Sequence, residues 1–451
     1  SSSSRILTDA RDDRASARRA RRAVTRRRRG GRGRRPRRHR RRRRPRRVRA
    51  RAIRRALTAF HRTMRATSTA LATARATTTR TTTARAPRRD ASRVSRRRAR
   101  PTRALGESLS TYLTHQAAIG AVDGDLAVAL NSIAVACKRV RALVAKAPIA
   151  GMTGSAGGSN ASGDEQKKLD VVANDVFVET LSSCGRAGVI VTEEEDTPIA
   201  VERVGSKDGG GYVVTFDPID GSSNIDACVT TGSIFGVYAP GECEIKETDT
   251  PEQTLENCLT NAMQSGEALV AAGYCMYSSS CVFVLTVGDG VYQFDYDDAS
   301  GEFLMTRERM QIPDGKDMQR IYSCNNGNVN LWEPELKEFV EYLQDGGSEG
   351  GKPWSYRYIG ALVADAHRTL SYGGLWLYPG DSNAPEGKAR LLYEIAPVSM
   401  LAEQAGGISM RGAKADERVL EVTPEHIHQK SPMFVGSASA VRDLQEFLKS
   451  K

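Results

Sequence analysis

Carboxylate side chains follow two short apolar segments of this chain, and their types and spacing suit the binding of a hard divalent cation. Residues 193–195 are three consecutive glutamates after one such segment, Asp217 and Asp220 follow the second, and Glu394 lies further along. Carboxylates at the ends of buried strands would meet at one sheet edge and repel one another. Mg²⁺ prefers oxygen ligands and keeps water and substrate phosphate in its shell, so it would relieve this repulsion. The alternative for the glutamates alone is a solvated turn, because charge runs usually face water.

The segment from Asp217 to Asn224 has further features of a phosphate site. Its letters are DPIDGSSN, which put two carboxylates three residues apart with an exposed main-chain carbonyl at Ile219 between them. The small residues that follow could begin a helix whose N–H groups receive phosphate. The alternative is an ordinary capped turn. The pattern therefore indicates metal-assisted chemistry on a phosphate ester.

The charge of the chain divides into two parts. The 451 residues carry a formal net charge of +14, yet residues 1–103 alone hold 40 Arg, no Lys and four Asp, which leaves the remainder at −22. An acidic folded part is a poor surface for a polyanion, so we expect no nucleic-acid partner. Nor does any stretch approach the roughly 18 apolar residues of a membrane span, so we expect no membrane partner. The leader has too few apolar residues to fold, and its composition is typical of an organellar transit peptide.

Apolar periodicity after residue 103 predicts alternating strands and helices, and hence an α/β fold. A Gly/Ser-rich stretch at 151–163 is predicted to be a mobile loop, and the acid-rich stretch 240–267 a polar loop. A linker at 314–318 is expected to lead into a second α/β unit. The predicted helices are 131–147, 171–181, 334–343, 397–405 and 440–448, and the predicted strands are 188–192, 212–216, 235–238, 268–272, 281–287 and 291–294.

The eight cysteines all lie in the acidic part of the chain and form neither a dense disulfide pattern nor a zinc-binding CxxC pair. Two of them, Cys243 and Cys258, fall in the acidic loop. They are expected to be exposed there, either as a pair or as two surface thiols. The cysteines at 137, 228, 275, 281 and 324 are predicted to be packing residues. The histidines at 367, 426 and 428 are predicted to be structural, because oxygen-rich Mg²⁺ sites seldom use imidazole.

The segment from Asp217 to Asp226 resembles the signature of the fructose-1,6-bisphosphatases, within the lithium-sensitive, Mg²⁺-dependent sugar and inositol phosphatases. The resemblance extends over residues 108–449. It is carried by GDEQKKLD at 163–170, AGYCMYSS at 272–279, RYIG at 357–360, DAHRT at 365–369, YGGLWLYP at 372–379 and GKARLLYE at 387–394.

This resemblance implies a layered αβαβα sugar-phosphatase fold with two mixed-sheet α/β units. It places the boundary between an N-terminal metal-binding domain at 104–318 and a C-terminal sugar-phosphate-binding domain at 319–451. The implied reaction is hydrolysis of the 1-phosphate of fructose 1,6-bisphosphate with two or three Mg²⁺ per subunit. The implied metal ligands are Glu193, Glu194, Asp217, the Ile219 carbonyl, Asp220 and Glu394.

The resemblance also assigns roles around the substrate. Asp164, Asp170 and Glu194 would activate water, with Asp164 on the loop that closes over the site. The implied substrate-binding residues are Gly221, Ser222, Ser223, Asn325, Arg357, Tyr358, Tyr378, Lys388 and Arg390, with Arg357 reaching in from a neighbouring subunit. One departure is Asn328, where the family usually has a phosphate-contacting Tyr.

Plastid members of the family carry an extra acidic loop whose cysteines form a regulatory disulfide that thioredoxin reduces. The resemblance therefore implies a Cys243–Cys258 disulfide, thioredoxin as a partner, a homotetramer, and a location in the chloroplast stroma. Met263 stands where such loops usually carry a third cysteine. Non-plastid relatives bind AMP at an N-terminal helix, where this chain has Asp123 in place of a phosphate-binding Thr, so weak or absent AMP inhibition is expected.

Two other functions remain open from the sequence. A sedoheptulose-1,7-bisphosphatase shares the metal chemistry, although that family usually places its regulatory cysteines nearer the N-terminus. The non-enzymatic alternative is a nucleic-acid-binding protein that uses the Arg-rich leader.

Overall fold

The computed structural model describes residues 106–160, 165–201, 211–241, 246, 248–347 and 351–451. The leader at 1–103, Asp164 and Cys243 lie outside these residues. Within them, the α-helices are α1 (Leu109–Ala118), α2 (Gly124–Val144), α3 (Lys168–Cys184), α4 (Pro251–Ala262), α5 (Pro334–Gln344), α6 (Leu362–Tyr372), α7 (Ala396–Gln404) and α8 (Ala438–Lys449). In this described part, no helix has the length and apolar character needed to cross a membrane.

The strands form two large sheets and one small hairpin. The hairpin pairs β1 (Ser155–Ser159) with β2 (Glu165–Lys167). An eight-stranded sheet has the order β10-β9-β8-β7-β6-β5-β3-β4, and a six-stranded sheet has the order β12-β11-β13-β16-β14-β15. Their strands are β3 (Ala187–Thr192), β4 (Ile199–Ala200), β5 (Tyr212–Asp220), β6 (Thr231–Tyr238), β7 (Leu269–Tyr277), β8 (Cys281–Thr286), β9 (Val291–Asp297), β10 (Glu302–Met310), β11 (Ile321–Ser323), β12 (Ser355–Tyr356), β13 (Leu375–Tyr378), β14 (Ile408–Arg411), β15 (Glu417–Arg418) and β16 (Met433–Gly436).

These elements stack as five layers, which confirms the expected αβαβα fold. Helices α1 to α3 pack on one face of the eight-stranded sheet. Helices α6 and α7 fill the space between the two sheets, and α5 and α8 cover the outer face of the second sheet. Strand β13 shows why helices pack on both faces of the second sheet. Leu375 and Leu377 pack into the core under α5 and α8, while Trp376, between them, packs into the core between the two sheets. Side chains alternate along a strand, so an uninterrupted apolar run fills both layers.

The pairing of β3 with β5 positions the acidic segments. The two strands are parallel neighbours, and Thr192 is paired with Phe216. Parallel strands end at the same sheet edge, so Glu193 and Asp217, the next residues of each strand, are brought side by side. Strand β5 continues further than predicted, because Asp220 still pairs with Gly232 of β6.

Two segments that were predicted to be loops contain regular structure. The acidic stretch 240–267 includes α4, which begins at a capping box between Thr250 and Gln253 and has Pro251 in its first turn. Only Cys258, Asn261 and Ala262 of this helix are buried. Because the helix buries so few residues, it has few apolar positions from which the sequence could have predicted it. Part of the glycine-rich stretch 151–163 forms strand β1, which corrects the prediction of a mobile loop throughout.

Candidate functional site

Three carboxylates converge beside the end of β3 and the last residues of β5. One oxygen each of Glu193, Asp217 and Glu394 lies within 4.8 Å of the others, and all three side chains are buried. Glu193 follows β3, Asp217 lies in β5, and Glu394 belongs to a five-residue π-helical segment, Leu391–Ile395. Like charges this close repel strongly out of water, so the cluster needs a cation.

Local backbone contacts fix these carboxylates in place. Asp217 Oδ1 accepts the Ile219 N–H at 2.9 Å, and Glu394 Oε2 accepts the Arg390 N–H at 2.6 Å. The Arg390 guanidinium lies between two of the acids, with Nη2 at 2.6 Å from Glu193 Oε1 and Nη1 at 3.5 Å from Glu394 Oε1. One buried guanidinium offsets only part of the charge of three carboxylates, so the arrangement retains an excess of negative charge.

Asp220 is held by the beginning of a helix from the second unit. Its Oδ1 accepts the Leu362 N–H at 3.1 Å, and its Oδ2 accepts the Val363 N–H at 2.7 Å. These are the first two residues of α6, whose unpaired N–H groups and dipole favour an anion. A Cβ on Gly221 would lie 2.7 Å from Ala361 Cβ, and the φ of Gly221 is +75°, so this close approach requires glycine.

Residues at and next to the glycine-rich stretch 151–163 make two contacts with the acidic cluster that the sequence did not predict. Asn160 Nδ2 donates to Glu193 Oε1 at 2.9 Å, and Gln166 Nε2 donates to Glu194 Oε2. The Gly154 N–H also donates to Asp226 Oδ1 at 2.7 Å, which anchors the start of the hairpin. Gln166 lies in the segment 163–170, which resembles the family, so the sequence did point to this part of the site. Asn160 lies in none of the motifs, and nothing in the sequence indicated its contact.

Burial and mutual repulsion raise the pKa values of the acidic groups. Burial, followed by nearby Glu193 and Glu394, raises the pKa of Asp217 well above its usual value. Burial also raises the pKa of Asp170 to about 8, of Glu394 to about 8, and of Glu194 and Asp220 to about 7. In addition, Asp170 Oδ1 is buried without a hydrogen-bond partner among the described residues. Without a metal, these carboxyl groups relieve their mutual repulsion by keeping protons. A divalent metal could replace those protons, and carboxylate oxygens are the ligands that it requires.

The acidic residues line a cavity of about 340 Å³. Asp170, Glu193, Glu194, Asp217, Ile219, Asp220, Gly221, Ser222, Ser223, Arg390 and Glu394 all contribute to it, together with Asn160 and Lys167. Ser222 and Ser223 begin a short 3₁₀ helix, Ser222–Ala227, instead of the α-helix that the small residues suggested. A cavity of about 490 Å³ beside Arg141 and Cys228 is larger, but it contains none of the clustered carboxylates, and we place the chemistry in the smaller one.

Two smaller cavities continue from this site towards the second sheet. The first, of about 140 Å³, is shared by Asp220, Arg390, Tyr358 and Tyr378, and the second, of about 40 Å³, lies beyond it. The second is lined by Asn325, Asn328, Tyr358, Tyr378 and Lys388, among others, so four of the implied substrate-binding residues, Asn325, Tyr358, Tyr378 and Lys388, come together there. Asn328 Nδ2 donates to Asp381 Oδ2 at 2.9 Å. Arg357 is exposed and lines neither cavity.

Asp365 is a buried residue of this region to which the sequence analysis gave no role. Its carboxylate accepts the N–H groups of Ile359 and Gly360, at 3.2 and 3.0 Å, and the Ser323 hydroxyl at 2.8 Å. The Arg368 guanidinium is 2.8 Å from the same carboxylate. Asp365 therefore fixes the segment that carries Tyr358 to strand β11 and to helix α6.

The histidines and cysteines give mixed outcomes. His367 Nδ1 is 2.7 Å from the Tyr274 hydroxyl, and burial lowers the pKa of its imidazole to about 4. The packing cysteines at 137, 275, 281 and 324 are buried as predicted, but Cys228 is exposed, because it follows the short 3₁₀ helix on the surface. Cys258 was expected to be an exposed loop thiol. It is buried in α4 against β3, and burial raises the pKa of its thiol to about 11.

Comparison with known proteins matches the chain over both halves. The family model described as "Fructose-1-6-bisphosphatase, N-terminal domain" matches residues 109–308, and that described as "Fructose-1-6-bisphosphatase, C-terminal domain" matches residues 316–449. Among curated proteins, the chloroplastic fructose-1,6-bisphosphatase of Triticum aestivum is 49% identical over 345 residues, which cover 76% of this chain and 82% of that protein. The chloroplastic enzyme of Spinacia oleracea is 48% identical over 347 residues, which cover 76% of this chain and 81% of that protein.

Solved structures give the same result. The crystal structure of Leishmania major fructose-1,6-bisphosphatase in holo form superposes with a TM-score of 0.68 at 38% identity, and covers 78% of this chain and all of that chain. The T-state structure of the same enzyme gives a TM-score of 0.63 at 36% identity, over 77% of this chain and 99% of that chain.

Proposed function

The chain belongs to the fructose-1,6-bisphosphatase family, and we propose that its buried carboxylate cluster binds the Mg²⁺ ions with which it hydrolyses fructose 1,6-bisphosphate at the 1-phosphate. It is a phosphoric monoester hydrolase whose products are fructose 6-phosphate and phosphate. The observation that carries the proposal is the approach of Glu193, Asp217 and Glu394 to within 4.8 Å at the edge of the sheet. The family uses a divalent metal, and Mg²⁺ suits the all-oxygen donor set.

Two or three Mg²⁺ ions would be held by Glu193, Glu194, Asp217, Asp220, Glu394 and the Ile219 carbonyl. When bound, they would polarise the phosphoryl oxygens, lower the pKa of water and stabilise the leaving alkoxide. The side chains themselves are oriented beforehand, since backbone N–H groups hold Asp217, Asp220 and Glu394. This preorganisation limits the movement needed at the moment of reaction.

We assign the activation of water to Asp170 and Glu194, together with Asp164. Both described carboxylates line the cavity, and Asp170 Oδ1 has no partner in the described structure, so it can accept a proton from water there. The 1-phosphate would lie against Gly221, Ser222 and Ser223, where the N–H groups of the 3₁₀ turn begin. Arg390, which lines both the cavity of about 340 Å³ and the adjoining cavity of about 140 Å³, would supply the planar charged donor.

The 6-phosphate would bind in the distal cavity. Asn325, Tyr358, Tyr378 and Lys388 line it, and Lys388 supplies the positive charge. Asn328 replaces the family's usual Tyr and supplies an amide there. Arg357 is exposed on its own subunit, which supports a role in a neighbouring site of a homotetramer.

The compartment is the chloroplast, as for the chloroplastic relatives. We propose the Calvin cycle and starch synthesis as the metabolic context. The boundary between a metal-binding domain at 104–318 and a sugar-phosphate-binding domain at 319–451 is part of this proposal. The described sheets support it, because the eight-stranded sheet ends at Met310 and the second sheet begins at Ile321.

Phosphate release by the purified protein tests the function directly. Fructose 1,6-bisphosphate and sedoheptulose 1,7-bisphosphate are supplied in parallel, each with Mg²⁺ or with EDTA. We expect Mg²⁺-dependent release with the higher kcat/KM for the six-carbon sugar. A preference for the seven-carbon sugar would retain the chemistry and refute the substrate, and release that persists in EDTA would refute the metal assignment.

We further propose that thioredoxin activates the enzyme by reducing a disulfide between Cys243 and Cys258. Because Cys258 is buried in α4, the disulfide can form only when this helix opens. Replacing Thr250 by Ala removes the N-cap and costs about 1 kcal/mol of helix stability, so oxidation should proceed about fivefold faster. The measurement is the rate of loss of activity under an oxidant.

Single cysteine variants provide the controls for this redox prediction. Cys258→Ser should abolish the response of activity to dithiol, whereas Cys228→Ser, which replaces an exposed thiol outside the acidic stretch, should retain it. An enzyme that still responds after Cys258→Ser would contradict the pairing. An oxidation rate that is unchanged in Thr250→Ala would show that helix opening does not limit it.

Weak inhibition by AMP is a second prediction that the structure supports. Asp123 is the N-cap of α2, where its Oδ1 accepts the Leu126 N–H at 2.7 Å, and the Tyr212 hydroxyl donates to Oδ2. A carboxylate thus already occupies the helix terminus that would attract a phosphate. We expect AMP at about 1 mM to change the rate by less than about twofold, because like charges repel.

Asp123→Thr tests the reason for this insensitivity. Thr retains a cap for α2 but removes the negative charge, so AMP should bind more tightly to the variant than to the wild type. Strong inhibition of the wild type at micromolar AMP would refute the prediction.

A further inference from the structure

The His428 imidazole joins two segments that carry clustered carboxylates. Its Nε2 is 3.1 Å from the Glu195 carbonyl oxygen, and its Nδ1 is 2.9 Å from the Tyr393 hydroxyl. A carbonyl oxygen can only accept, so Nε2 carries the hydrogen, and Nδ1 of the neutral ring then accepts the Tyr393 O–H. The two rings also meet edge to face, with centroids 5.9 Å apart.

Both partners of His428 are neighbours of clustered carboxylates in the chain. Glu195 follows Glu193 and Glu194 directly, and Tyr393 directly precedes Glu394. Tyr393 is fully buried, and the cluster acids Glu193 and Glu394 are near enough to add to the effect of burial in raising the pKa of its hydroxyl. The imidazole therefore spans the gap between the turn after β3 and the π-helical segment.

The backbone around His428 is attached to the same site. The Leu391 N–H donates to the Gln429 carbonyl at 2.7 Å, and the Ser431 N–H donates to the Ala389 carbonyl at 3.0 Å. These two bonds flank Arg390, which contacts Glu193 and Glu394. His428 is thus on a segment whose position is set with that of Arg390.

We propose that His428 is a positioning residue for the metal site, and that it holds the turn with Glu193 and Glu194 at a fixed separation from Glu394. This inference rests on the proposed function, since it assumes that the cluster binds a divalent cation. Buried carboxylates repel one another, so the segments that carry them need ties that do not depend on the metal. Hydrogen bonds behind the ligands commonly change metal affinity by about 10- to 100-fold. His428 is not itself a ligand, because both ring nitrogens are already engaged.

Direct binding of Mn²⁺ to the full chain, measured by calorimetry, tests this role. His428→Phe keeps a flat ring but loses both hydrogen bonds, and should weaken Mn²⁺ binding by about 10- to 100-fold. Tyr393→Phe loses one bond and should weaken binding less. His428→Gln can still donate to the Glu195 carbonyl, and should recover part of the affinity. His426→Phe is the matched control, because His426 is an exposed neighbour two residues away.

The outcomes separate this inference from the proposed function. If the wild type binds Mn²⁺ and His428→Phe binds it equally well, the positioning role is wrong and the metal site stands. A loss of the same size in His426→Phe would also overturn the inference, because it would show a general effect on this segment. If the wild type binds no Mn²⁺, the proposed metal site fails, and the inference fails with it. Should His428→Phe not fold, the graded affinities of His428→Gln and Tyr393→Phe decide in the same way.

Discussion

Asp217→Asn should lower kcat/KM for fructose 1,6-bisphosphate by about 1,000-fold or more, because metal stabilisation of the transition state contributes several kcal/mol and each 1.36 kcal/mol is a factor of ten. Asp217 is buried at the centre of the carboxylate cluster. The amide has the same shape and can still accept the Ile219 N–H, so the fold should persist. Phosphate release at saturating Mg²⁺ measures the effect.

The same substitution should not destabilise the metal-free protein. Because repulsion between buried carboxylates opposes folding, Asp217→Asn should have an equal or higher Tm in EDTA at pH 8. Loss of activity with unchanged or raised stability distinguishes a metal-site residue from a packing residue. Asp196→Asn is the matched control, since Asp196 is an exposed acid in the turn after β3, and it should leave both quantities unchanged. Activity of Asp217→Asn within about tenfold of the wild type would refute the assignment.

The metal-free protein should lose stability as the pH rises from about 4 to about 8, and a divalent metal should restore it. In the folded state, burial raises the pKa of Asp170 and of Glu394 to about 8, from ordinary values of 3.8 and 4.5. Between those limits the folded protein keeps protons that the unfolded chain releases, so rising pH favours the unfolded chain. Thermal unfolding in EDTA across this range should show a falling Tm.

Metal binding should show the opposite dependence on pH. The ligands must lose their protons before they bind a cation, so affinity should rise by about tenfold per pH unit for each proton released. The contribution of Glu394 to this rise should level off above about pH 8, where its carboxyl group is already ionised. Calorimetry in buffers of different ionisation enthalpy measures both the affinity and the protons released. An affinity for Mg²⁺ that is constant from pH 6 to pH 8 would refute the raised pKa values.

The acidic cluster was predictable from sequence because its geometry follows from local rules. A short apolar run followed by acids predicts a buried strand with carboxylates at its end, and parallel neighbours end at one edge. These two rules were enough to predict that Glu193 and Asp217 lie close together. Glu394 was harder, because it lies on a π-helical segment that no periodicity indicates. Its role as a metal ligand came from the resemblance to a family.

Helix α4 shows where composition is misleading. The stretch 240–267 is acid-rich, which favours a loop, and only a few residues of the helix are buried. Its capping box and Pro251 were local signals of a helix start that composition obscured. The burial of Cys258 then depends on packing against β3, which is distant in the chain.

The sequence by itself determined the α/β class and the acidic strand ends, because periodicity and turn residues act over short distances along the chain. Its motifs also indicated the family, and the resemblance to that family implied the layered αβαβα arrangement. Only the tertiary structure decided which groups support the carboxylates. Asn160 contacts Glu193, Arg390 lies between Glu193 and Glu394, and His428 contacts the Glu195 carbonyl from 233 residues away. Such contacts depend on how whole layers pack. The residues next to a side chain in the sequence therefore do not predict a partner that is distant in the chain.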